Sequence, residues 1–335
     1  MAFEVDLERN LVGLFDELAA GAYRPGPSIC FVVTRPKPRE VWAAQFRDRV
    51  AHHLLYNRIG PPFERAFIAD SCACIKGRGT LYAARRLEAK VRSVTHNWSR
   101  RAFYLKADVA NFFVAIDKRA LAAQLEARIP AGWWRDLALQ VLFHDPRPDV
   151  ILHATPREMA LVPAHKRLME QPAHLGLPIG NLSSQFFANV YLDHLDQFAK
   201  HLLRAHHYVR YVDDFVVLHE DRAWLAAVHD EIDAFLPREL GVRLNPAKTI
   251  IQPVDRGIDF VGQVVMPWRR FTRRRTFREA LKRTAEAPAE GLLQTANSYF
   301  GLLGQATASH RDRARLAKVV MSRGRAVASD LRRIA

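Results

Sequence analysis

Tyr208-Val209-Arg210-Tyr211-Val212-Asp213-Asp214-Phe215-Val216-Val217-Leu218 is an apolar stretch interrupted by two adjacent carboxylates. Its two short β runs read as a hairpin with the acids at the tip. Neighbouring carboxylates repel one another and destabilise such a hairpin unless something neutralises them. A divalent cation does so, although a solvated Asp-Asp turn reads the same from this segment alone.

Upstream, Tyr104-Leu105-Lys106-Ala107-Asp108-Val109-Ala110-Asn111-Phe112-Phe113 carries a third aspartate at the end of an apolar β run over 101–107. An acid in that position sits where a parallel or mixed sheet presents ligands, at the carboxyl edge of its strands. One carboxylate there and two on a neighbouring hairpin are hard oxygen ligands suited to Mg²⁺. A pair of such ions about 4 Å apart supports in-line phosphoryl transfer.

The rest of the chain supplies a frame for these segments. Leu7, Leu11, Leu14, Phe15 and Leu18 recur at helical spacing, and Gly21 ends that helix. A strand at 30–33 leads through a Pro- and Arg-rich loop at 34–39 into a second strand at Val41-Trp42. A helix is expected from about Phe46 to Tyr56, with Pro61-Pro62 as its breaker. Asp117 reads as the cap of a helix running through Leu121 and Leu125. Residues 144–175, rich in Pro, His and Arg, read as an insertion with short local structure. Further helices are expected over 183–202 and 225–235, with strands at 241–244, leading to Lys248, and at 258–262.

Composition narrows the class. The 335 residues are 49% hydrophobic and 25% charged, which are globular proportions. No run approaches 18 consecutive apolar residues and the N-terminus lacks a signal-peptide core, so a cytoplasmic protein with no membrane segment is expected. Cys30, Cys72 and Cys74 form no CxxC pair, which supports neither a disulfide framework nor structural zinc. His52-His53 and His206-His207 lack metal-ligand spacing, and Ser183-Ser184 lacks a nucleophile-elbow context. Lys plus Arg number 50 against 35 acidic residues, a net +15 that points to nucleic acid. Between Met266 and Ala335 stand 16 basic and 5 acidic residues, or +11 of the total. The densest run, Trp268-Arg269-Arg270-Phe271-Thr272-Arg273-Arg274-Arg275, interleaves aromatics with arginine. Arg269, Arg270, Arg273, Arg274 and Arg275 are therefore candidate nucleic-acid contacts, with a solvated helix face as the competing reading.

Asp108 with Phe113, Gly180 with Ser183-Ser184-Gln185, and Tyr211-Val212-Asp213-Asp214 occur in the order of the palm motifs of reverse transcriptases, which 31–262 resembles. Lys37-Pro38-Arg39-Glu40, Lys76-Gly77-Arg78-Gly79-Thr80 and 177–189 (LPIGNLSSQFFAN) are similar to the enzymes of diversity-generating retroelements. The resemblance implies an α+β right-hand polymerase. Residues 1–100 would hold an N-terminal helix and fingers, 101–265 the palm with the insertion, and 266–335 a basic helical thumb. It implies RNA-directed DNA synthesis, low in fidelity at template adenines, with template RNA, a primer or cDNA strand, dNTPs and a basic accessory protein oligomer as partners.

Site roles follow from the same resemblance. Asp108 and Asp213 would hold two Mg²⁺ ions, or Mn²⁺ in their place, with the Val109 carbonyl and Asp214 in support. Phe113 would exclude a 2′-hydroxyl, or else pack as a core aromatic. Arg39 and Lys37 would pair with the triphosphate, or else lie in a solvated loop. Gly180 and Gln185 would line the nucleotide site, and Lys248 would serve leaving pyrophosphate. Lys76 and Arg78 would touch template phosphates. Ile179 stands where many relatives carry glutamine, which removes a hydrogen bond from nucleotide discrimination. Retron-like or phage-defence reverse transcriptases, and an idle RNA-binding scaffold, are the rival readings. The three retained acids disfavour the scaffold, since a pure binder gains nothing from carboxylates facing a polyanion.

Overall fold

The computed structural model of the chain describes residues 2–35 and 37–334. Met1, Pro36 and Ala335 lie outside the described residues, so the centre of the 34–39 loop and the end of the basic segment do too. In chain order the strands are β1 (Ile29–Val33), β2 (Arg39–Ala43), β3 (Phe103–Asp108), β4 (Ile151–Leu152), β5 (Tyr208–Tyr211), β6 (Asp214–His219), β7 (Ile250–Pro253), β8 (Ile258–Phe260), β9 (Gln263–Met266) and β10 (Arg269–Thr272). Among the described residues they form three small sheets, ordered β2-β1-β4, β5-β6-β3-β7 and β10-β9-β8.

The four-stranded sheet is buried on both faces, and its period of two separates two cores. Leu105, Ala107, Phe215 and Val217 join Leu225, Val228 and Ile232 of the helix Arg222–Leu240. The alternate residues Tyr104, Val216 and Leu218 join Ala83, Leu87 and Val91 of the helix Thr80–Val94. The near-continuous apolar run after Asp214 follows from this double burial. Among the described residues no helix is long and apolar enough to cross a membrane.

Several local expectations are corrected. The helix that begins at Phe46 continues through Pro61 and Pro62 to Ala66. Both prolines are exposed, as are Asn57 and Arg58, so the carbonyls that lose amide partners face water, while Leu55, Ile59 and Phe63 stay buried. Residues 241–244 form no strand, because Gly241 takes the left-handed conformation that caps the preceding helix. Leu244 makes only a single bridge to Val109. The helices Thr80–Val94 and Trp133–Phe143, which begin after Gly79 and Gly132, add to the elements read from the sequence. Asp117 does cap its helix, accepting from the Arg119 amide at 2.8 Å.

The insertion contains the helix Pro156–Ala160 and β4, which adds to β1 in parallel. At the C-terminal end, the helices Arg274–Glu286, Leu292–Gly304 and His310–Ser322 share a core around Phe277, Phe300 and Leu316. The division expected at 265/266 runs through β9, whose hairpin partner β10 lies on the other side.

Candidate active site

Antiparallel pairing, rather than the carboxyl edge of a parallel sheet, gathers the acids. β3 and β6 run in opposite directions with Asp108 paired to Asp214. Val212 and Asp213 form the two-residue turn between the paired Tyr211 and Asp214. The Val109 amide donates to the Asp213 carbonyl at 3.1 Å, so the turn is stitched to the end of β3.

That turn is strained. Val212 has φ 57°, a left-handed conformation that a β-branched residue rarely adopts. Arg210 holds it there. Its Nη1 donates to the Val212 carbonyl at 2.9 Å and Nη2 to Ser71 Oγ at 3.0 Å, while Nε and Nη2 grip the Asp196 carboxylate at 2.7 and 2.6 Å. The Tyr208 hydroxyl donates to Asp196 at 2.8 Å. Arg210 is 1% exposed and Asp196 fully buried. Burial alone lowers the Arg210 pKa, and the Asp196 carboxylate reverses that and leaves the guanidinium above its ordinary value. Sequence reading missed this pair. Its signal was a lone arginine inside an apolar β run, which requires a buried counter-charge.

Charge at the acids is only partly compensated. Lys248 Nζ donates to Asp108 Oδ1 at 2.6 Å. Lys106 Nζ lies 3.4 Å from Asp214 Oδ2 and donates to the Asp259 carbonyl at 2.6 Å. Burial, then repulsion from Asp108, raises the Asp213 pKa to about 6 despite Lys248 and Arg39 nearby. Burial likewise raises Asp214 to about 6; Lys106 opposes the shift, and Asp108 and Asp213 add to it. Asp214 Oδ1 is buried without a hydrogen-bond partner.

Among the described residues, no group of three or more His, Cys, Asp or Glu side chains is arranged to hold a metal ion as it stands. Donor chemistry nevertheless fits a hard divalent cation. The acids offer only oxygen, they repel one another, and one buried oxygen has nothing to accept from.

This repulsion has a measurable consequence. A folded-state carboxyl raised above its unfolded value near 3.8 contributes stability below that pH, and the contribution is lost as pH rises through about 6. In chelator-treated protein, Asp213→Asn is therefore expected to raise stability at pH 8 by about 1–2 kcal/mol, a few degrees in Tm, after discounting for partial exposure. At pH 4 the gain should vanish. Equal melting of the two proteins at pH 8 would contradict the stated repulsion.

The nucleotide-side candidates cluster around β2 and the segment at 177–181. Arg39 opens β2, is exposed, and contributes its charge at Asp213. Lys37 is exposed in the preceding loop. The Phe113 carbonyl accepts from the Leu177 amide at 2.8 Å, and its half-buried ring packs against that of Phe112, with centroids 5.5 Å apart. Ile179 is half-buried, and its carbonyl accepts from the Trp42 amide at 2.7 Å. Gly180 has φ 126°, and a Cβ there would meet Val41 Cγ1 at 2.9 Å and the Trp42 carbonyl at 3.1 Å. Only glycine lets this segment approach β2 so closely. Gln185 is exposed on the first turn of the helix Leu182–Gln197.

Other candidates are placed differently from expectation. Arg78 directs Nη1 to the Ile68 and Ser71 carbonyls at 2.8 and 2.7 Å, so it braces its own loop rather than presenting that nitrogen to template phosphate. Arg270 is 4% exposed and bound to Glu88, Gln263 and the Gln305 carbonyl, which makes it a brace between β10 and its neighbours. Arg273 pairs with Asp259 through Nε at 2.6 Å. Lys76, Arg269, Arg274 and Arg275 are exposed.

The fold is that of the right-hand polymerases. Telomerase from Candida tropicalis, in its apo form, superposes with a TM-score of 0.53 at 11% identity over 89% of this chain. Telomerase from Candida albicans in complex with a telomeric RNA fragment gives 0.50 at 13% identity, also over 89%. The chain spans 56–57% of those telomerase chains, and the likeness shows fold alone. Residues 35–265 match the model of the family described as reverse transcriptase (RNA-dependent DNA polymerase), and the chain belongs to that family. Protein YkfC of Escherichia coli strain K12 is 22% identical over 324 residues, covering 87% of this chain and 78% of that protein.

Proposed function

We propose that this protein copies a template RNA into DNA, as the reverse transcriptase of a diversity-generating retroelement. The observation that carries the polymerase reading is the meeting of Asp108, at the end of β3, with Asp213 and Asp214 of the strained β5–β6 hairpin, their charge incompletely compensated, in a chain of this family. Asp108 and Asp213 would hold magnesium, or manganese in its place, with Asp214 and the Val109 carbonyl in support. The chemistry two such ions supply is a lower pKa of the primer 3′-hydroxyl and charge compensation at the transferring phosphorus.

The chain's own residues supply position. Arg39 and Lys37 would bind triphosphate oxygens, and Phe113 would sit beneath the incoming sugar. Lys248, which donates to Asp108, would serve leaving pyrophosphate. Residues 1–100 would form fingers, 101–265 the palm and 266–335 the thumb, whose exposed Arg269, Arg274 and Arg275 would meet nucleic acid. An RNA template, annealed DNA primer, dNTPs and Mg²⁺ should yield primer extension complementary to the RNA. Absence of extension on every RNA template, with extension on DNA templates, would refute the RNA-directed reading.

The retroelement assignment rests on Ile179 and the motif resemblance. Isoleucine offers only van der Waals contact where faithful relatives place a hydrogen-bonding glutamine. A hydrogen bond of that kind contributes roughly 0.5–1.5 kcal/mol, or up to about tenfold in selectivity. Ile179→Gln is expected to lower misincorporation opposite template adenine by up to that factor, more than opposite the other bases. Sequencing cDNA from both proteins on one template measures this, and equal adenine error rates would place the infidelity elsewhere. A basic accessory protein oligomer is the partner this reading adds.

A further inference from the structure

At the end of β3 opposite Asp108, the loop that enters the strand faces the β9–β10 turn across a cleft of about 370 Å³. Trp98, Arg100 and Arg101 line one side, and Asp255 and Trp268 the other. The five residue steps from Phe103 to Asp108 place the cleft more than about 17 Å from the acids along the strand.

Both indoles are held in uncommon backbone conformations. Trp268 sits at the tip of its turn with φ 65° and is 60% exposed. His96, Asn97 and Trp98 are three successive non-glycine residues at φ 47°, 58° and 71°. The Trp98 amide donates to buried Thr95 Oγ1 at 2.8 Å, and the Arg100 amide to the Thr95 carbonyl at 2.8 Å. The loop is thus fixed in a shape that leaves Trp98 half-buried and Arg100 and Arg101 exposed.

Trp98 packs in part against the core that holds Leu87 and Val91, but burial explains neither the 60% exposure of Trp268 nor the two arginines beside it. An apolar ligand would not require two arginines beside it, and a simple anion would not require two indoles. A flat ring joined to a phosphate uses both, and the volume suits one nucleotide. We propose that the cleft binds an unpaired nucleotide of a single strand, stacking its base on Trp268 and Trp98 while Arg100 and Arg101 meet flanking phosphates. It would anchor single-stranded nucleic acid away from the carboxylates, and it stands independently of whether those carboxylates polymerise.

The test is equilibrium binding without nucleotides or divalent cation, by fluorescence anisotropy of labelled probes. The probes are a 12-nucleotide oligoadenylate RNA, the same sequence as DNA, and a blunt RNA duplex. Trp268→Ala is expected to weaken single-strand binding about tenfold or more and to change duplex binding less than twofold. Trp268→Phe, which keeps a stacking face, should restore most of the affinity, and Arg100→Ala with Arg101→Ala should reduce it again. Losses shared by RNA and DNA would assign the cleft to any unpaired strand, and a loss confined to RNA would assign it to template RNA. Unchanged single-strand affinity in Trp268→Ala, an equal loss for the duplex, or no rescue by phenylalanine would overturn the proposal.

Discussion

Asp213→Asn is expected to reduce RNA-templated primer extension at least about a thousandfold while leaving the protein folded. The substitution is nearly isosteric. It deletes one of the three mutually repelling acids proposed to hold a cation, and Asp213 lies at the turn, its carbonyl bonded to the Val109 amide. That backbone bond survives the change, so the hairpin should persist. Because burial and Asp108 hold the Asp213 pKa near 6, the cation-free variant should also melt no lower than wild type at pH 8. Loss of activity together with loss of folding would point to a structural acid instead. Asp108→Asn should lose extension comparably, and would leave Lys248 a neutral amide oxygen in place of the carboxylate it meets at 2.6 Å.

The second large effect lies away from the reacting groups. Asp196→Ala should destabilise the protein by about 3–5 kcal/mol, because it strands the Arg210 guanidinium inside the core without its counter-charge. In a chain of this size that corresponds to a fall in Tm of about 10 °C. A double variant, Asp196→Leu with Arg210→Met, replaces the pair by apolar side chains and should recover part of that stability, less the cost of leaving the buried Tyr208 hydroxyl without its acceptor. It should not recover activity, because the carbonyl of the left-handed Val212 has lost its donor and the turn keeps only its bond to the Val109 amide and its strand pairing. Thermal melts and primer extension on both variants separate the two roles. Full activity in the stable double variant would show that the turn holds without Arg210.

The acid-bearing β3 and β5–β6 hairpin were legible because their signals are local. Two adjacent acids between apolar runs, an acid ending a strand, and an Asp cap all state their structure within a few residues. Arg210, Lys106 and Arg270 were not legible in the same way, since what decides their roles is a partner far away in sequence. Arg210 meets Asp196 and Ser71, Lys106 meets Asp259, and Arg270 meets Glu88. Within the basic run at 269–275 the alternation of β10 buries Arg270 and exposes Arg269, a distinction that charge counting cannot make. Proline misled in the helix Phe46–Ala66 because its cost depends on which face it occupies. The antiparallel register that pairs Asp108 with Asp214 also lay beyond sequence reading, although the convergence of the acids did not.

The most direct test of the central claim is the rate of primer extension on an RNA template against divalent-cation concentration, for wild type and for Asp108→Asn, Asp213→Asn and Asp214→Asn. The carboxylate account predicts saturable, cation-dependent synthesis by wild type and rates at least about a thousandfold lower for Asp108→Asn and Asp213→Asn at every concentration. Comparable extension by wild type and Asp213→Asn, or synthesis indifferent to the cation, would contradict it.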